Sequence, residues 1–164
     1  MARWPTGERT VSFLIERGRF EALGDTDLDS AAATAIERGK KRLRTAASAL
    51  EGDDIDGAYA AAYDAYRMAA EALLLRQGLL ATGGEGSHVT VEDAISAQFA
   101  DRIAGYAKAT FERFRKTRHT AQYFDPSAAP LDRADAEWAL GISHAAVDGA
   151  AYVLRSESLD RFDL

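Results

Sequence analysis

The sequence predicts an all-α fold, an antiparallel up-and-down bundle of roughly four to five helices preceded by a short helical extension. Three observations lead there. Long alanine-rich stretches repeat their apolar side chains at helical spacing. No segment alternates polar and apolar residues over the length of a strand. The breaks between the periodic stretches are short and rich in Asp, Gly or Pro, which suits antiparallel neighbours.

Taken in order, residues 1–26 read as the extension. Thr6 is placed to cap a short amphipathic segment whose apolar side is Val11, Phe13, Leu14, Phe20 and Leu23, interrupted by Gly18 and Gly24. The bundle occupies 27–157 and a tail 158–164. Its first helix spans 28–50, opened by Asp27 or Asp29, with Ala32, Ile36, Leu43, Ala47 and Leu50 inward and Lys40, Lys41, Arg42 and Arg44 on a solvated face. Residues 51–54 turn the chain. The second helix runs to about residue 77, with Gly78 as its stop. Tyr59, Tyr63, Tyr66, Ala70, Leu73 and Leu74 share its stripe, and their hydroxyls need partners when buried. Residues 79–90 read as a loop, and Thr90-x-x-Asp93 as a capping box opening the next helix. That helix breaks near Asp101 or Gly105. The last helix spans 133–155, with Ala136, Leu140, Ser143, Val147 and Ala151 on one face.

Composition sets the outer limits. The chain of 164 residues is long enough for one domain with a full core. Its net charge of −6 removes whole-molecule attraction to nucleic acid or an anionic membrane as a driving force, so such binding needs a local patch. The absence of cysteine excludes disulfides, thiol nucleophiles and cysteine metal sites. No run of about 18 apolar residues occurs, and no apolar segment follows Arg3, so a cytoplasmic protein without membrane contact is expected. The wealth of Ala and of Arg over Lys suggests a GC-rich bacterial genome.

The stretch 111–125, FERFRKTRHTAQYFD, supplies the local patch through Arg113, Arg115, Lys116, Arg118 and His119. At roughly 100° per residue, Arg118 falls in line with the stripe of Phe111, Phe114 and Ala121, while Arg115, His119 and Gln122 flank it. An arginine on a buried side must find a carboxylate, carbonyls or a ligand. One reading pairs Arg118 with an internal acid such as Asp64. The other sinks an anion site between helices. Competing chemistries are absent: His88, His119 and His144 form no HxxxH or HExxH pair, there is no phosphate-binding loop and no GxSxG, and no metal or cofactor is implied.

The helix AYAAAYDAYRMAAEALLLRQG, the glycine-rich loop with GSH, and then FRKTRHTAQY together resemble the HEPN family of helical nucleotide-binding domains. The resemblance covers about residues 28–155. It implies a homodimer with the motif helices facing each other across a two-fold axis. Active members are metal-independent ribonucleases, often toxins paired with a nucleotidyltransferase antitoxin, with the motif RNxxxH. Carried onto this chain, Arg118 matches the motif arginine, His119 stands where Asn is common, and Tyr123 takes the histidine position. The resemblance thus implies a catalytic set of Arg118, His119 and Tyr123. Arg113, Arg115, Lys116, Arg67, Asp64, Tyr63 and His88 would surround an RNA or nucleotide.

Tyr123 departs from the motif. A phenol of pKa about 10 is a poor base at neutral pH, where an imidazole near about 6.5 is well matched. Weak or absent ribonuclease activity follows as the expectation. A second register, Arg113 with His119, would act across a dimer interface, and His119 is expected to reach the Arg118 crevice only if a dimer mate closes over it. Three functions stand on these residues: a degenerate HEPN-like dimer that binds nucleotide, RNA phosphate or a partner protein; an active endoribonuclease toxin; and a structural helical module. The Phe111/Phe114 stripe and the small residues of the last helix are the expected dimer surface.

Overall fold

The computed structural model describes residues 4–84 and 86–164, so the first three positions of the expected extension, Arg3 among them, and residue 85 in the glycine-rich loop lie outside the described residues. Among those residues the chain forms α1 (Glu8–Glu16), β1 (Phe20–Ala22), α2 (Leu28–Glu51), α3 (Ile55–Arg76), β2 (Leu79–Ala81), α4 (Ser87–Phe99), α5 (Lys108–Gln122) and α6 (Arg133–Ser156). The all-α reading holds: helices carry the core, and the two short strands only clip its edge.

Local chemistry accounts for the helix ends. Asp27 caps α2 by accepting from the Ser30 amide at 3.1 Å, and Asp54 caps α3 from Gly57 at 2.9 Å. Asp132 and Asp135 form a reciprocal capping box at the start of α6. Gly78, at φ 78°, takes the left-handed turn that lets the chain leave α3. Two expected caps moved. Gly7, not Thr6, caps α1, at φ 77°, and a Cβ there would stand 2.6 Å from the Ala97 backbone, so α1 docks on α4 through a glycine. α4 begins a turn earlier than the Thr90 box predicts. Thr90 lies inside its first turn, with its hydroxyl donating to the Gly86 carbonyl at 3.1 Å.

α3 lies at the centre, buried against α2, α6, α5 and α4. Its alanines allow close approach: Ser143 of α6 donates to the Ala62 carbonyl at 2.7 Å. On another side its tyrosines meet α5. Phe111 and Phe114 are buried there among Tyr59, Tyr63, Tyr66 and Tyr106. The stripe expected to form a dimer surface is therefore consumed inside one chain. Ala136 and Ser143 of α6 are buried likewise.

The extension and tail are more tightly joined than their sequence suggests. β1 pairs antiparallel with β2, Phe20 opposite Ala81 and Ala22 opposite Leu79, in strands too short to show alternation. The buried Trp4 donates through Nε1 to the Gln98 carbonyl at 2.9 Å and leans on Phe99. Gln77 and Gln98 exchange amide hydrogen bonds at 2.7 and 3.1 Å, and Leu159 and Phe162 of the tail are buried. Phe13, expected inward, is exposed on α1. No described helix is long and apolar enough to cross a membrane.

Candidate phosphate-binding cleft

The buried Phe111 and Phe114 fix the rotation of α5 on α3, and that rotation decides where its cations go. Arg115 and Arg118, on the same side of the helix, turn toward α3 and the start of α4. Arg113 turns the other way, its guanidinium 3.7 Å from the Trp138 ring centroid, and Lys116 is exposed. The second register, Arg113 with His119, is thus not assembled within the chain.

A cleft of 620 Å³ lies between these elements, bordered by Tyr63, His88, Arg115, Arg118, His119 and Tyr123. His119 and Arg118 both border it within the one chain, contrary to the expectation that a dimer mate is needed. The first turn of α4 and the loop at Gly84 supply the wall that the helical wheel of α5 alone cannot show. The His119 ring centroid stands 4.9 Å from that of Tyr123, and neither side chain hydrogen-bonds to another described residue. Tyr123 is exposed.

Each arginine faces an acid. Arg118 Nη2 stands 3.5 Å from Asp64 Oδ1, the internal acid named from the sequence, and its Cζ lies 5.0 Å from the Tyr63 ring centroid. Arg118 Nε is buried with no hydrogen-bond partner. Arg115 Nε stands 3.3 Å from Glu92 Oε2, whose side chain is 3% exposed. Burial pushes the Glu92 carboxyl up, with Arg115 opposing. Arg67 Nε donates to Glu71 at 3.0 Å, and its Nη1 to His88 Nε2 at 2.9 Å. His88 Nδ1 lies 2.8 Å from the Tyr63 hydroxyl. Burial, then the charges of Arg67, Arg118 and Arg115, push the His88 imidazolium pKa down to about 4, so the ring is neutral at pH 7. Burial also raises Tyr63.

The cleft therefore gathers Tyr63, His88, Arg115, Arg118, His119 and Tyr123. Arg67 and Asp64 stand behind them as partners of His88 and Arg118, while Arg113 and Lys116 stay outside. Two acids were missed. Glu71 follows Arg67 by one helical turn, a spacing that could have signalled the pair. Glu92 follows His88 by the same step, but the signal was masked by reading the helix start at Thr90. Across the ion pairs the charges balance, and Arg118 Nε is left with no partner. Such a site suits an oxyanion that bridges two planar forks. Among the described residues no cluster of His, Cys, Asp or Glu could hold a metal ion. Compared with known proteins, the chain matches no protein-family model, no curated protein and no solved structure.

Proposed function

We propose that this chain is a HEPN-like helical domain that binds the phosphate of RNA or a nucleotide in the α3–α4–α5 cleft, as a homodimer, with ribonuclease activity weak or absent. One observation carries the reading. Arg115 and Arg118 border one cleft while holding their acids only loosely, at 3.3 and 3.5 Å, and Arg118 keeps a buried donor with no partner. A buried donor left unmade costs about 1–3 kcal/mol, and a phosphate oxygen would satisfy it once the Arg118 side chain turns toward the cleft. Tyr123 is exposed beside His119, where an unpaired base would stack. The apolar face of α5 is spent on α3, so a dimer would form through other exposed surface such as Phe124. The sequence resemblance belongs to this same reading, whereas a nucleotidyltransferase antitoxin as partner would favour the active toxin instead.

A structural module is the second reading, favoured by the Arg118–Asp64 pair. The two part on Arg118→Ala. This pair is partly exposed, at 27% and 38% of its side chains, so its loss should cost less than about 1 kcal/mol. Binding of a short single-stranded RNA at low salt, with chelator present, should weaken roughly tenfold or more. Fluorescence anisotropy and urea unfolding measure the two effects. A large loss of stability with no change in RNA binding would establish the structural module. RNA cleavage that His119→Ala abolishes would instead make the domain a metal-independent endoribonuclease.

A further inference from the structure

We propose that His88 is a positioning residue: held in one tautomer by Arg67, it donates to the Tyr63 hydroxyl and turns the phenolic proton into the cleft, as a neutral donor to a phosphate oxygen. This rests on the phosphate-binding reading and names a third donor beside the two guanidiniums.

The tautomer follows from what each group can do. A guanidinium has donors and no acceptor, so the 2.9 Å contact of Arg67 Nη1 with His88 Nε2 requires a bare Nε2 lone pair. In a neutral ring the hydrogen then sits on Nδ1. The 2.8 Å contact with Tyr63 must therefore run from Nδ1–H to the phenolic oxygen. The opposite tautomer would set two N–H groups against each other at Nε2. The hydroxyl, already accepting from His88, has its own proton to give. No described residue takes it, and Tyr63 is 4% exposed, so bulk water reaches it poorly. The side chain borders the cleft, below the Arg118 guanidinium that lies 5.0 Å over its ring. Arg118 Nε also lacks an acceptor, and both side chains border the cleft.

The arrangement gives His88 a task other than proton transfer. Its one lone pair is committed to Arg67, which leaves His119 as the histidine on the cleft without a hydrogen bond. A hydroxyl brings a donor without a counter-charge, whereas each arginine brings an acid that an incoming anion must face. Phosphate monoester and diester oxygens offer the same acceptor, so the probes are inorganic phosphate and a short single-stranded oligoribonucleotide.

The unsubstituted chain is examined first, by nitrogen NMR of the imidazoles at neutral pH. His88 should carry its hydrogen on Nδ1 with Nε2 bare, and the reverse pattern overturns the proposal without involving any variant. Titration follows. Tyr63→Phe should weaken every probe that the unsubstituted protein binds by roughly tenfold or more, the worth of a hydrogen bond to a charged group. The probe that binds identifies the source of the phosphate. His88→Leu should lose as much, while His88→Asn, whose amide nitrogen stands where Nδ1 does, should restore most of the affinity. Unchanged affinity in Tyr63→Phe overturns the role of the hydroxyl and leaves the two-arginine cleft standing. No binding of either probe by the unsubstituted protein removes the phosphate reading and this one with it.

Discussion

The sides of α3 solve different problems. Toward α2 and α6 it presents Ala62 and Ala65, and the approach is close enough for Ser143 to reach the Ala62 carbonyl and for Gly39 to lie near the Ala65 oxygen. Small side chains allow such contact without leaving polar groups unmet. Toward α5 and α4 the same helix carries Tyr59, Tyr63, Tyr66, Asp64 and Arg67. There the groups are large and polar, and one of them, Arg118 Nε, is buried without a hydrogen-bond partner. A surface built only for stability would resemble the first side. The second keeps an unmet donor on a side chain that borders a cleft, the feature on which the proposed phosphate binding rests.

Phe114→Ala strikes this contrast hardest. Phe114 is fully buried and its ring contacts Tyr59, Tyr63, Tyr66 and Trp138, so it joins the tyrosine side to α6. Truncation should cost about 3–5 kcal/mol in urea unfolding, because the surrounding rings cannot collapse into the space. RNA affinity should fall as well, since α5 would lose the contact that aims Arg115 and Arg118. A cost under about 1 kcal/mol would mean that α5 is not held on α3 as described.

The next effect is a pH dependence confined to the tyrosine side. His88 has its imidazolium pKa lowered from 6.5 to about 4 by burial and by the arginines around it, Arg67 on α3 and Arg115 and Arg118 on α5. The unfolded chain thus takes up the proton more readily than the folded one. The contribution of neutral His88 to stability is complete above pH 6.5 and is lost progressively as the pH falls toward 4. Carboxylates also titrate near the lower end, so the comparison is with His88→Asn across the same window. The difference between the two proteins should narrow as the pH falls. A constant difference from neutral pH to 4 would show that the folded protein holds the His88 proton as readily as the unfolded one.

How much of this was legible in the sequence follows from the range of each interaction. Periodicity and nearby Asp residues set α2, α3 and α6 to within a residue or two, because their stripes and caps are local. The tyrosine stripe, the inward turn of Arg118 and its pairing with Asp64 were also within reach, since two helix faces suffice to suggest them. The β1–β2 clip, the docking of Trp4 on Gln98 and the burial of Phe162 were not. Each joins segments far apart in the chain through short stretches with no period of their own. The cleft was half legible. One helical wheel places Arg115 and Arg118 together, but the wall that brings His119 into the same space comes from α4, whose start was read a turn too late.

Arg113→Ala is the smallest effect and tests whether the site lies on the cleft side of α5 at all. Arg113 belongs to the same basic stretch as Arg118, and as a bare charge it should attract RNA equally well at long range. Its guanidinium is instead spread over Trp138 of α6, 3.7 Å from the ring centroid. An exposed cation–π contact of this kind is worth about 0.5–1 kcal/mol, so the melting point should drop slightly. RNA binding should lose only a small, salt-sensitive part that vanishes as ionic strength rises, because one screened charge is removed and no hydrogen bond to phosphate. Titrations of Arg113→Ala and Arg118→Ala at low and moderate salt separate the cases. If Arg113→Ala costs as much affinity as Arg118→Ala, and the loss survives added salt, the ligand sits on the Trp138 face. The unmet donor of the tyrosine side would then need another explanation.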